Sequence, residues 1–247
     1  MSFRPLYYEN ILYYAFDIFQ KDKGVKHLFT TRIGDCTGKP LDIVSKILEI
    51  PQSQIAVSSQ IHKTSIAIVE DVEEYNKKDK SKGIDGLITN KNEIALVTYY
   101  ADCVPLYFLD RSNRVVGLAH AGWRGTAENI GGKMVHKMVE DYKSNPADII
   151  VGIGPSIGPC CYEVGNEVYK IFKLKFNFAE QIFILKNDKI YLDLWEANRL
   201  MLIDSGILDI NISVSKLCTS CNIDKFYSYR KEGGTKRRMA AAIQLKY

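Results

Sequence analysis

A thiol and an imidazole stand at matching distances from one turn in this chain. Cys103 belongs to Ala101-Asp-Cys-Val-Pro105 and His120 to His120-Ala-Gly-Trp-Arg-Gly125, and the two apolar runs between them flank Asp110-Arg-Ser-Asn113. That tetrapeptide has the composition of a turn. A symmetric hairpin about it predicts Cys103 directly opposite His120, with Cβ atoms about 4.5–5.5 Å apart. A metal ion bound at about 2.3 Å from sulfur and 2.0–2.1 Å from nitrogen bridges such a gap. The same pairing also suits a Cys103 nucleophile with His120 as its base.

A useful metal site needs a third ligand, and the chain has four histidines. His136 falls between Met134 and Met138 on a predicted helix, away from its apolar stripe, and reads as exposed. His27 opens a strand segment, and His62 lies in Ser59-Gln-Ile-His-Lys63. Composition does not choose between these two. Three protein ligands leave an open coordination position, the pattern of a catalytic rather than a structural zinc.

Other segments add chemistry of lower specificity. Gly152-Ile-Gly-Pro-Ser-Ile-Gly-Pro-Cys-Cys-Tyr-Glu-Val-Gly165 follows an apolar strand and precedes a helix. Its glycines permit close backbone approach to a ligand, although its spacing is neither a Walker A loop nor a dinucleotide fingerprint. The segment from Phe226 to Met239 interleaves aromatic and cationic residues, which suits a flat base together with an anion. Cys218-Thr-Ser-Cys221 has CxxC spacing but no second such pair, so a zinc ribbon is not expected and the motif reads as structural.

These residues need a scaffold. The chain has 247 residues, 46% of them hydrophobic, enough for a substantial core without covalent staples. Its six cysteines (Cys36, Cys103, Cys160, Cys161, Cys218 and Cys221) are expected to stay reduced. The net charge of +4 is spread thinly, with short clusters at Lys77–Lys82 and Lys236–Arg238, which argues against nucleic acid as a partner. The N-terminus shows no basic region followed by an apolar run and a cleavage site. No apolar stretch approaches the roughly 20 residues that span a bilayer. The expectation is a cytoplasmic enzyme of one domain, residues 1–247, with no membrane association and no obligate protein partner.

Alternation and short apolar runs predict strands at His27–Thr31, Ile55–Gln60, Thr64–Glu70, Gly86–Thr89, Ile94–Tyr100, Val104–Leu109, Val115–His120, Ile149–Ile153, Ile182–Leu185, Ile190–Asp193, Ile210–Ser215 and Met239–Leu245. Helical spacing predicts helices over Thr126–Tyr142, Glu163–Phe172 and Asp193–Ser205. The polar run Glu73–Lys82 reads as a surface loop. Many strands with few helices imply an α+β fold.

Several of these motifs together resemble the laccase-domain family, first labelled polyphenol oxidase and now described as a purine nucleoside phosphorylase family. They are Gln60-Ile-His62, Ala101-Asp-Cys-Val-Pro105, His120-Ala-Gly-Trp-Arg-Gly125, Gly152-Ile-Gly-Pro155, Cys161-Tyr-Glu-Val-Gly165, Ser228-Tyr-Arg230 and Arg238-Met-Ala-Ala. The likeness runs from about His27 to the C-terminus. It implies a layered α/β/β/α fold with mixed sheets, akin to cysteine-hydrolase-like domains, and a zinc held by His62, Cys103 and His120, which decides between the two histidines. It also implies phosphorolysis of adenosine, inosine and methylthioadenosine, with adenosine deamination as a second activity. Lys63 departs from the pattern where a glycine is usual, and Leu41-Asp-Ile stands in place of Leu-Asn-Leu.

Within that likeness, Glu163 and Asp102 are the candidates to carry a proton. Arg32 and Arg230 are expected to hold phosphate through their guanidinium forks, Tyr229 to stack on the base, and Gln60 to contact substrate. The H-x-E and P-C-x-x-C pair of ordinary zinc deaminases is absent. Copper is the alternative metal, since thiolate and imidazole also favour it. Four histidines without a His-x-His pair do not build a multicopper centre. A copper-dependent polyphenol oxidase with one ion, and a hydrolase using Cys103 as nucleophile, remain the rival readings.

Overall fold

The computed structural model describes residues 3–34, 39–79 and 81–246. Cys36, and Lys80 of the Lys77–Lys82 cluster, lie outside the described residues.

Two six-stranded mixed sheets pack face to face. The first runs in the order Phe3–Tyr8, Ile11–Phe16, Val25–Thr30, Met239–Leu245, Ala95–Tyr100, Ile55–Val57. The second runs Ile212–Val214, Ile149–Ile153, Val104–Asp110, Val115–Ala121, Gly86–Thr89, Ile66–Ile68. A three-stranded sheet of Glu163–Val164, Lys189–Leu192 and Phe183–Lys186 stands apart.

The central strands explain the layering. Every residue of Val104–Asp110 and of Val115–Ala121 is buried, as befits strands covered on both faces. Tyr107, Leu109, Val116 and Leu118 turn toward the first sheet and share a core with Leu96, Tyr100 and Ile243. Leu106, Phe108, Val115 and Ala119 turn the other way, onto Met134 and Met138 of the helix Ile130–Tyr142 and Met201 of the helix Leu194–Asp204. The helix Pro40–Leu48 covers the far face of the first sheet through Val44 and Leu48 against Leu28 and Ala242. The order is helix, sheet, sheet, helix, the α/β/β/α arrangement expected. At Gly117 a Cβ would stand 2.7 Å from the Met134 methyl, so the glycine gives that side chain room to pack on the strand.

Some expectations need correction. The hairpin register is shifted by two residues: Asp110 pairs with Val115 and Pro105 with His120. Asp110 stays in the strand, buried, with its carboxylate accepting from the Asn113 backbone N–H at 3.1 Å and side-chain amide at 2.8 Å. Arg114 closes the loop at φ 51°. A shift of two preserves the face of every side chain, so Cys103 and His120 remain on one face as diagonal neighbours. The single helix expected over Thr126–Tyr142 is two, Trp123–Ala127 and Ile130–Tyr142. Asn129 separates them at φ 54°, and its side chain caps the second helix by accepting from the Gly132 N–H, a role its short polar side chain suits. The helix expected from Glu163 begins at Asn166, because Glu163–Val164 pairs with Ile190 and Tyr191 instead. Part of the polar run read as loop is the helix Val72–Lys77, started by the Asp71 side chain accepting from the Glu74 N–H at 2.8 Å. The strand expected to reach Gln60 stops at Val57. No helix among the described residues is long and apolar enough to cross a membrane.

Candidate metal centre

Three of the four histidines separate cleanly by environment. His27 is buried in the inter-sheet core, where its Nε2 accepts from the Phe16 N–H at 2.7 Å and Phe19 and Tyr107 pack on its ring. Burial pushes its pKa down to about 3. His136 is on the helix surface beside Glu140 at 3.0 Å. His120 lies near the end of its strand on the inter-sheet face, its ring 5.6 Å from that of Tyr100. There it meets Cys103 and His62: the ligand atoms of these three all lie within 4.8 Å of one another.

Asp85 organises this group. It is fully buried, and its Oδ1 accepts from the His62 N–H at 3.0 Å and faces His120 Nδ1 at 2.9 Å. Its Oδ2 accepts from the Ile61 N–H at 3.2 Å and the Lys63 N–H at 3.0 Å. Three successive backbone N–H groups thus fold round one carboxylate. That wrap holds His62 at φ 63°, a conformation uncommon for a side-chain-bearing residue. Lys63 itself has no positive φ, so a lysine fits where a glycine was expected. Because Asp85 accepts the Nδ1 proton of His120, the other ring nitrogen is left with its lone pair for a ligand role. Gly122 completes the cradle: a Cβ there would meet Cys103 Sγ at 3.1 Å and His62 Cδ2 at 3.2 Å.

The electrostatics agree with a cation site. Burial alone would push the Cys103 thiol up, but the charge of His120 and hydrogen bonds from His120 and His62 outweigh it and bring the pKa down to about 6. Burial opposes charge on His120 as well, yet the Cys103 thiolate and Asp85 raise its pKa to about 9. The Asp85 carboxyl is held below the usual range, its hydrogen bonds to His120 and the backbone outweighing burial. A thiolate and two imidazoles with an oriented ring form a donor set that fits zinc or copper. A second cluster, Cys160, Cys161, Cys218 and Cys221, also brings its sulfurs within 4.8 Å.

A cavity of about 700 Å³ opens over the three ligands. Gln60, Asp102, Tyr229 and Arg230 line it, together with Tyr162 and Arg238. Gln60 is pinned to the backbone of Tyr99, donating to its carbonyl at 2.8 Å and accepting from its N–H at 2.7 Å. Asp102, at φ 87°, accepts from the Thr219 hydroxyl at 2.6 Å and the Arg230 N–H at 2.7 Å. Arg230 lies over the Tyr162 ring at 5.2 Å and donates to the Glu163 carbonyl at 2.8 Å.

Two candidates are placed elsewhere. Arg32 does not line the cavity; it bonds the Ile223 carbonyl at 2.7 Å, pairs with Glu232 at 3.3 Å and packs over Tyr227 at 4.6 Å. The Glu163 carboxylate turns to Lys189 at 2.8 Å, because the residue sits in a strand that faces that lysine's hairpin. Conversely, sequence reasoning passed over Asp85, Tyr162 and Arg238 as site residues. Arg238 stood inside the segment read as suited to a flat base and an anion, and in a family motif, but was not singled out from its basic neighbours. Asp85 left only the faint signal of an acid amid the apolar residues that open the Gly86–Thr89 strand.

The chain resembles known proteins over most of its length. The family model described as multi-copper polyphenol oxidoreductase laccase matches residues 28–246. The purine nucleoside phosphorylase YlmD of Geobacillus stearothermophilus is 40% identical over 185 residues, covering 70% of this chain and 68% of that protein. The purine nucleoside phosphorylase YlmD of Bacillus subtilis is 34% identical over 252 residues, covering 92% and 91%. The crystal structure of the hypothetical protein YfiH of Bacillus licheniformis superposes with a TM-score of 0.86 at 32% identity over 99% of both chains. The chain belongs to the laccase-like family of multi-copper polyphenol oxidoreductase type, whose curated relatives carry the name purine nucleoside phosphorylase.

Proposed function

We propose that this protein is a zinc-dependent purine nucleoside phosphorylase acting on adenosine, inosine and methylthioadenosine in the cytoplasm. One observation carries the reading: two arginines, Arg230 and Arg238, and three tyrosines, Tyr99, Tyr162 and Tyr229, line the same cavity as His62, Cys103 and His120. Nucleoside phosphorolysis needs a flat apolar surface for the base and fixed cations for phosphate, and the cavity offers both.

In the reaction a phosphate oxygen forms a bond to the sugar C1′ while the C1′–N9 bond breaks. The purine departs with the electron pair and takes up a proton. Arg230 and Arg238 bind and orient the phosphate, since Arg32 is committed to Glu232. Tyr229, more than half exposed at the rim, and Tyr162, at the wall, embrace the base. His62, Cys103 and His120 would hold the zinc ion, which when bound would supply Lewis acidity beside the substrate. Adenosine deamination is the second activity, and Asp102 rather than Glu163 is its proton carrier, because Asp102 lines the cavity.

Incubation with inosine and phosphate should give hypoxanthine and ribose 1-phosphate in equal amounts. Undiminished product from metal-stripped Cys103→Ala protein would sink the proposed site.

A second reading is favoured by the depressed pKa of Cys103 beside a charged His120: hydrolysis with Cys103 as nucleophile. A stable covalent adduct at Cys103 in metal-replete protein would support it. The rival copper oxidase has no further histidine to place a second ion at this site, because His27 and His136 are committed elsewhere. Dioxygen uptake on a phenol tests it.

A further inference from the structure

Cys218 and Cys221 lacked a partner pair in the sequence, and the fold supplies one from an unexpected spacing, the adjacent Cys160 and Cys161. The two loops run side by side through a parallel bridge between Ser156 and Cys218. The Thr219 N–H donates to the Ser156 carbonyl at 2.9 Å and the Ser156 N–H to the Leu217 carbonyl at 3.3 Å. The Cys221 sulfur lies 3.5 Å from that of Cys160 and 3.4 Å from that of Cys161, and all four sulfurs fall within 4.8 Å. A regular tetrahedron with zinc–sulfur bonds of about 2.3 Å has edges of about 3.8 Å, so the observed spread brackets a closed tetrathiolate site.

The surroundings are prepared for it. The Gly158 N–H points at the Cys218 sulfur at 3.3 Å, a donor that stabilises thiolate. The Asn222 N–H and side-chain amide both bond the Cys218 carbonyl, at 3.1 and 2.8 Å, which fixes the turn presenting Cys221. Pairs of sulfurs this close repel once ionised, and a divalent cation removes that repulsion.

We propose that Cys160, Cys161, Cys218 and Cys221 bind a second zinc ion, structural and closed, distinct from the His62, Cys103 and His120 centre. Binding displaces the thiol protons to solvent as the four zinc–sulfur bonds form, and no electron is transferred. The ion clasps the loop carrying Ile157 and Tyr162 to the loop carrying Tyr229 and Arg230. Both loops converge on Asp102, through the Ile157 N–H on its carbonyl at 2.9 Å and through Thr219 and Arg230 on its carboxylate. The second ion therefore sets the shape of the cavity wall without touching substrate. This inference does not depend on the proposed reaction.

The test is metal content per chain after anaerobic purification with zinc, followed by cobalt(II) exchange. Wild type should hold two equivalents. Cys221→Ser, at an exposed position, should hold one and lose the sulfur-to-cobalt charge-transfer absorption of a tetrathiolate. Cys103→Ala should also hold one but keep most of that absorption. Cys221→Ser should in addition expose the 158–162 and 217–230 loops to protease while leaving the Cys103 centre loaded. A wild type with one equivalent that vanishes in Cys103→Ala would overturn the proposal. So would an intact mass showing these cysteines as disulfides in anaerobically prepared protein.

Discussion

Replacing Asp85 by Asn changes one atom of a side chain that touches no cavity, yet it should cripple the metal centre. The carboxylate has four bonds to satisfy: His62 N–H and His120 Nδ1 on one oxygen, Ile61 N–H and Lys63 N–H on the other. An amide offers one acceptor and one donor face. If its oxygen serves Ile61 and Lys63, its NH2 group faces His120 Nδ1 and the His62 N–H. The imidazole must then carry its proton on Nε2, which removes the lone pair a metal needs. If its oxygen serves His62 and His120, the NH2 group faces the Ile61 and Lys63 N–H groups, and both part-buried donors lose their acceptor. Either way the ring loses the anion that orients it, a change worth roughly 10–100-fold in metal affinity. Competition with a chromophoric chelator measures the affinity, and thermal unfolding of the metal-free form measures the rest. We expect weaker zinc binding by about that factor and a fold destabilised by roughly 1–3 kcal/mol. Unchanged affinity and an unchanged Tm would refute the assignment of Asp85 as the group that sets the His120 tautomer.

Gly122→Ala keeps a backbone conformation open to any residue (φ −71°, ψ 172°) but thrusts a methyl at Cys103 and His62. Zinc affinity should fall about tenfold with little change in the Tm of the metal-free protein; equal affinity would show that the cradle has slack. Arg230→Ala removes a charge-assisted contact of about 1.5–3 kcal/mol, so the KM for phosphate should rise roughly tenfold or more at unchanged metal content, and a change in nucleoside KM alone would contradict the phosphate role. His27 is held neutral, with its pKa lowered from 6.5 to about 3. Its unfolded ring gains a proton as the pH drops through about 6.5 while the folded ring does not, so its contribution is intact above that pH and falls by about 2 kcal/mol at pH 5. His27→Gln, which keeps an acceptor for Phe16, should flatten stability against pH between 5 and 7 in chemical denaturation; an unchanged slope would place the acid sensitivity elsewhere.

The buried strands were legible because both faces are covered: apart from Asp110 and His120, Val104–Asp110 and Val115–Ala121 are largely apolar runs on either side of a turn. Parity in the hairpin put Cys103 and His120 on one face even though the turn was misjudged by two residues. His62 was legible only by family resemblance, because its place depends on Asp85, a partner brought from a distant segment by backbone hydrogen bonds that leave no pattern in side-chain type. The edge strand Phe3–Tyr8 and its neighbour Ile11–Phe16 escaped notice, since neither aromatic-rich run shows a clean alternation of apolar and polar residues. Arg32 and Glu163 have the right chemistry for the site, but each found a closer ionic partner, Glu232 and Lys189. The paired loops of Cys160–Cys161 and Cys218–Cys221 were invisible for the same reason as Asp85: tertiary contact, not spacing, assembles them.

The central claim is that the His62, Cys103 and His120 centre and the cavity above it form one phosphorolytic site. The most direct measurement is the release of hypoxanthine from inosine as zinc is titrated into metal-free protein, with and without phosphate. Product should rise with occupancy of the centre, require phosphate, appear with an equal amount of ribose 1-phosphate, and be absent in Cys103→Ala. Release of hypoxanthine that ignores phosphate, or that persists in the metal-free variant, would contradict it.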